Sequence, residues 1–140
     1  LSEKSRLGRG TLQELMWLLM NVLALEEHLA EAPLDELALL DARAMRAEAL
    51  EKITLLLSGK KPSETMLRRY WCIVKHLLLA SMHSFEVAGQ IVDAHPDESR
   101  EMLELSRITF SKAEELLVKY ASQPIEEKEK QEAEEEKHDA

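Results

Sequence analysis

A single cysteine, Cys72, occurs in the 140 residues, so no disulfide can close within the chain. This excludes a disulfide-stapled secreted scaffold and makes a reducing, cytoplasmic setting the simplest expectation. Glycine and proline number four each, too few turn residues for a many-stranded sheet. Trp, Tyr and Phe contribute two residues each, which leaves core filling mostly to aliphatic side chains. The longest mostly apolar run, LMWLLMNVLAL at 15–25, is shorter than the roughly 20 residues a bilayer span requires, so no membrane partner is expected. Lys4, Arg6 and Arg9 precede that run in the manner of a secretory signal. Gln13 and Glu14 intrude, however, and no small-residue cleavage pattern follows, so the run is read as part of the fold. The first residue is Leu1, which leaves open a segment before it. The sequence has no glycine-rich phosphate loop, no CxxC and no GxSxG, and no cofactor is expected.

What is present points to helices. Hydrophobic residues make up 45% of the chain, enough to build one core without metal or disulfides. Leu, Ala, Glu and Lys, all strong helix formers, are abundant. The net charge is -9, and residues 124–140 alone hold eight acids against three lysines. The rest of the chain is only mildly acidic. That balance does not suggest a broad phosphate-binding surface, so nucleic acid is the less favoured partner.

Caps and breakers divide the chain into four segments. Thr11 followed by Glu14 has capping-box spacing and predicts a first helix over 11–31, closed by Pro33. Asp35 caps a second, with Leu37, Leu40, Ala44, Ala47, Leu50 and Leu57 at helical spacing and Gly59 at its C-terminal stop. Ser63 caps a third that runs about 30 residues to Ala94, where His95-Pro96 ends it. Asp97 caps a fourth that ends near Gln123, with Met102, Leu105, Ile108, Leu116 and Tyr120 on one side. Short connections between helices of similar length predict an all-α, up-down-up-down four-helix bundle. Its expected extent is 11–123, with a flexible arm at 1–10. The acidic tail at 124–140 is expected to be disordered or a frayed helix.

The third helix carries most of the functional signal. Leu67, Tyr70, Val74, Leu77, Ser81, Ser84, Ala88 and Ile91 follow four-three spacing along one seam, and the small members invite close approach by another helix. Trp71, Leu78 and Phe85 form a second stripe, and Ile73, Ala80 and Val87 a third. The apolar arc is wider than one core contact uses, which fits either the most buried helix of the bundle or a face that meets a partner chain with Trp71 and Phe85 as anchors. Trp17 adds an aromatic to the polar side of the first helix. Trp17, Trp71, Leu78 and Phe85 are therefore the candidate interface, and a homo-oligomer or protein partner is the expectation.

The remaining strip holds Arg68, Arg69, Cys72, Lys75, His76, His83 and Glu86. A solvated polar face explains it, and three chemical readings stand beside that one. Cys72 and His76, and His83 and Glu86, have metal-ligand spacings, and His28 and Glu31 on the first helix repeat the second. The two pairs lie about 10 Å apart along the axis, so any metal site would need ligands from other helices. Arg69 and His76, with six residues between them, resemble in spacing the Arg–His motif of the HEPN superfamily of helical-bundle nucleases. Tyr70 and Trp71 follow the arginine where that motif carries a polar residue. The resemblance implies a metal-independent ribonuclease or toxin-type bundle, with the imidazole as acid or base and the guanidinium on phosphate. Lys60, Lys61, Arg68 and Arg69 near Tyr70 and Trp71 form a local basic cluster for which single-stranded nucleic acid is the corresponding ligand. With no strong catalytic constellation, a non-enzymatic, self-associating adaptor or small assembly subunit ranks first, and an enzyme second.

Overall fold

A computed structural model describes residues 7–31 and 36–121. Among these residues the chain is all-α, with four long helices and no strand. The helices are α1 (Arg9–Glu31), α2 (Glu36–Ser58), α3 (Trp71–Ile91) and α4 (Pro96–Ala121). No described helix is long and apolar enough to cross a membrane. Pro33, Asp35, most of the expected arm and the acidic tail lie outside the described residues.

The ends of the helices follow local chemistry. α1 begins two residues before the expected Thr11, since the Leu12 N–H donates to Gly8 O at 3.1 Å. Arg9 and Gly10 thus belong to the helix rather than to an arm. α2 stops at Gly59, whose φ of 73° only glycine adopts without strain. Its N–H closes the last turn on Leu55 O at 2.8 Å. Ser63 caps as expected, its Oγ accepting from the Met66 N–H at 2.9 Å. α3 ends at Ile91 rather than Ala94, and Pro96 is the first residue of α4, where its missing N–H costs nothing. Asp97 and Glu98 then lie in the first turn, on the favourable side of the helix dipole.

Between Ser63 and α3 the chain makes a π-helical turn, Met66–Tyr70, in which the Trp71 N–H reaches back five residues to Met66 O. The turn holds one residue more than an α-turn, so everything before it is rotated relative to an unbroken helix. Met66 is consequently buried where the sequence placed Leu67, and Leu67 is exposed. Tyr70 stacks on Tyr120 of α4, ring centroids 3.5 Å apart.

All four helices feed one core, with Leu12, Met16, Leu19 and Leu23 from α1, Leu50, Ile53 and Leu57 from α2, Val74 and Leu78 from α3, and Leu117 from α4. α3 and α4 make the closest pair. Ser81 Oγ donates to Ser106 O and Ser106 Oγ donates to Ser81 O, each at 2.7 Å, and Ser99 Oγ donates to Ala88 O at 2.8 Å. These contacts run in opposite chain directions, so the pair is antiparallel. Small side chains allow that approach, as the sequence of α3 anticipated. On α1 and α2 the corresponding tie is ionic, with Glu26 Oε1 facing Arg46 at 3.0 Å and Arg43 at 3.5 Å.

Two faces differ from expectation. In α2, Leu37, Leu40, Ala44 and Ala47 are exposed, while Ala42, Ala49, Leu50, Ile53, Thr54 and Leu57 turn inward. In α4, Leu105 and Ile108 are exposed, and Ser99, Ser106, Phe110, Ala113 and Leu117 are buried. In α4 the reason is that closely packed helices bury small residues, which carry little hydrophobic signal in a sequence.

Candidate interaction groove

Along α3, Trp71, Leu78 and Phe85 recur every seven residues and so share one face. Trp71 is 8% exposed and Leu78 0%, yet Phe85 is 64% exposed. The stripe therefore starts inside the core and ends in the open. At that end lies a cleft of about 660 Å³ walled by α1, α3 and α4. α1 contributes Trp17 and Met20, α3 contributes Met82 and Phe85, and α4 contributes Leu103 and Phe110. Trp17 is 42% exposed, whereas Phe110 is nearly buried and forms part of the core. The groove is thus an uncovered continuation of the bundle interior.

Its polar groups sit among these walls. Gln13 and Asn21 come from α1, Glu86 from α3 and Arg107 from α4. Asn21 Nδ2 donates to Trp17 O at 3.0 Å, which satisfies the amide locally. Arg107 donates to Glu104 one turn earlier, and that bond together with the carboxylate charge raises the guanidinium pKa above its ordinary value. Next to the groove, His83 Nε2 lies 3.0 Å from Glu27 Oε1 and its Nδ1 lies 4.0 Å from Glu86 Oε2, joining α1 to α3.

The four candidate interface residues divide into two pairs. Trp17 and Phe85 line the groove, whereas Trp71 and Leu78 belong to the buried core. Ile73 and Val87, from the third stripe, are exposed.

The candidate metal ligands do not converge. Cys72, His76, His83 and Glu86 remain on the exposed side of α3, and His28 and Glu31 are exposed on α1. His83 meets Glu27 instead of either of them. No group of three or more His, Cys, Asp or Glu side chains able to hold a metal occurs among the described residues.

Arg69 sits in the π-turn and His76 in α3, both exposed and about two turns apart. In the basic cluster, Lys61 pairs with Glu51 at 3.6 Å and Arg68 with Glu64 at 3.8 Å, which offsets part of its charge.

Met20, Met82, Leu103, Arg107 and Phe110 also line the groove without being sequence candidates. A signal for the α4 wall was present. Ser99, Leu103, Ser106, Phe110, Ala113 and Leu117 follow four-three spacing, but half of them are small. No protein-family model, curated protein or solved structure matches the chain.

Proposed function

We propose that this chain is a non-enzymatic helical protein–protein interaction module, a self-associating adaptor or small subunit of a larger assembly, and that the groove is its binding surface. One observation carries the reading: the Trp71–Leu78–Phe85 stripe leaves a sealed core and continues into an open cleft. Covering apolar surface contributes about 25 cal/mol per Å², so an uncovered core position favours a partner that completes it. Trp17 and Phe85 are anchor types, large and rigid with few rotamers to lose. Antiparallel packing of α3 on α4 and the short connections support an up-down-up-down bundle. An exposed, unpaired Cys72 is in keeping with a reducing cytoplasm.

The test is the mass of the full chain by light scattering over a range of concentrations. Wild type should self-associate, Phe85→Glu and Trp17→Glu should each shift it towards monomer, and His76→Ala should behave as wild type. An unchanged mass in both groove variants would count against the reading. Cleavage of RNA by wild type that His76→Ala abolishes would transfer function to Arg69 and His76.

A further inference from the structure

We infer that the basic end of the bundle is a second binding surface, and that its occupant is the acidic segment 124–140 of the same chain. The inference is independent of the groove.

The fold gathers cations from distant parts of the sequence at one end. Tyr70 stacks on Tyr120, so the π-turn that carries Arg68 and Arg69 lies against the last turn of α4. The connection leading into that turn adds Lys60 and Lys61. Arg9, at the start of α1, lines a cavity together with Lys119 of α4. Against these cations stand Glu51, which faces Lys61 at 3.6 Å, and Glu64, which faces Arg68 at 3.8 Å. Glu114 and Glu115 line the cavity, and Glu115 faces Lys112 at 3.4 Å. Exposed ion pairs of this kind are weak and exchange partners readily.

The other end has the opposite sign. Glu26, Glu27 and Glu31 close α1, Glu36 opens α2, and Asp97 and Glu98 open α4. The two arginines there, Arg43 and Arg46, both face Glu26. An acidic segment is therefore attracted to one end of this bundle and repelled from the other.

The segment also starts at the attracting end. It follows Ala121, the last residue of α4, and holds eight acids against three lysines. Glu134, Glu135 and Glu136 are its densest run. At about 3.4 Å per residue, the chain between Ala121 and that run spans the end of the bundle. Tethering is what singles out this occupant. A short link gives the segment an effective concentration on the order of millimolar at the basic end, so it holds that surface ahead of a free anion of equal charge. Even a contact with a Kd of about 1 mM is then occupied about half the time. The contact is one of charge, because the segment has a single aliphatic side chain larger than alanine, Ile125.

Cys72 supplies the probe. It is the chain's single cysteine, it is exposed, and it lies one helical turn beyond Arg68 and Arg69. A nitroxide on Cys72 of the isotope-labelled full chain broadens the amide resonances of residues that come near the basic end. At low ionic strength the resonances of residues 132–136 should lose at least about half their intensity relative to the reduced label. The loss should disappear in about 0.5 M salt, where screening is nearly complete. It should also disappear when Arg68→Glu and Arg69→Glu are combined, with unchanged circular dichroism as the check of folding. Glu134→Gln, Glu135→Gln and Glu136→Gln together should reduce it at least about twofold without touching the bundle. Full intensity in wild type at low salt overturns the docking. Broadening that the glutamine variant leaves unchanged overturns its electrostatic basis. In a mixture of nitroxide-bearing chain and isotope-labelled Cys72→Ser chain, resonances 132–136 should keep their intensity. Equal broadening there would place the segment on another copy and overturn docking within the chain.

Discussion

Serine has little hydrophobic drive, yet Ser81, Ser84, Ser99 and Ser106 are all buried between α3 and α4. Their small volume is what lets the backbones approach, and the reciprocal bonds of Ser81 and Ser106 use the carbonyls brought near. Each such bond contributes about 1 kcal/mol net. Ser106→Val removes one donor and adds bulk at the closest approach, so urea unfolding should show a loss of about 1–3 kcal/mol. Ser106→Ala should cost about 1 kcal/mol, because only the hydroxyl is lost. Residue identity alone announced this packing in α3, where Ser81, Ser84 and Ala88 interrupt an apolar seam. It did not do so in α4, where Ser99, Ser106 and Ala113 are polar or neutral and the larger Leu105 and Ile108 mark a face that is exposed. A residue's volume can decide its burial when its hydrophobicity does not.

At the scale of the element, the π-turn shows how one residue resets a helix face. Met66–Tyr70 widens a single turn, and its first residue, Met66, and the residue after it, Trp71, are both buried. Deleting Leu67 would turn this into an ordinary α-turn while keeping both residues inside, since Leu67 is 44% exposed. The deletion should change unfolding free energy by no more than about 1 kcal/mol. Deleting Leu79, in the regular part of α3, would instead rotate everything beyond it by one residue, about 100°, and pull Ser81, Ser84 and Ala88 away from α4. That variant should lose cooperative thermal unfolding. Helix existence and most stops were legible from Gly59, Ser63 and Pro96, because turn chemistry is local. The π-turn was not legible. No residue in MLRRY demands it, and it reconciles the Ser63 cap with the burial of Met66 and Trp71.

At the scale of the whole molecule, the two tryptophans report on different environments. Trp71 belongs to the core, and Trp17 stands on the groove. In Trp17→Phe the remaining indole should emit at short wavelength and resist iodide quenching. In Trp71→Phe the remaining indole should be readily quenched in dilute protein and become protected as concentration rises and the groove closes. Quenching that is independent of concentration in this variant, while the mass still increases, would place the contact elsewhere. Trp17 and Phe85 stand out in the sequence because each is an aromatic beyond what one core contact uses, and both line the groove. Trp71 and Leu78 share the spacing of Phe85 but not its exposure, because periodicity gives a residue's angle around a helix but not its level within the bundle.

The sequence by itself determined the class of this protein. Low glycine and proline, abundant helix formers and turn chemistry at Gly59, Ser63 and Pro96 leave an all-α chain as the consistent solution, because those preferences act over a few residues. Only the tertiary structure decided which end of the Trp71–Leu78–Phe85 stripe is covered, which faces of α2 and α4 turn inward, and how Glu86 and Arg107 come to share one groove. These depend on the closeness and register of helices far apart in the chain, which hydrophobic spacing along a single helix does not encode.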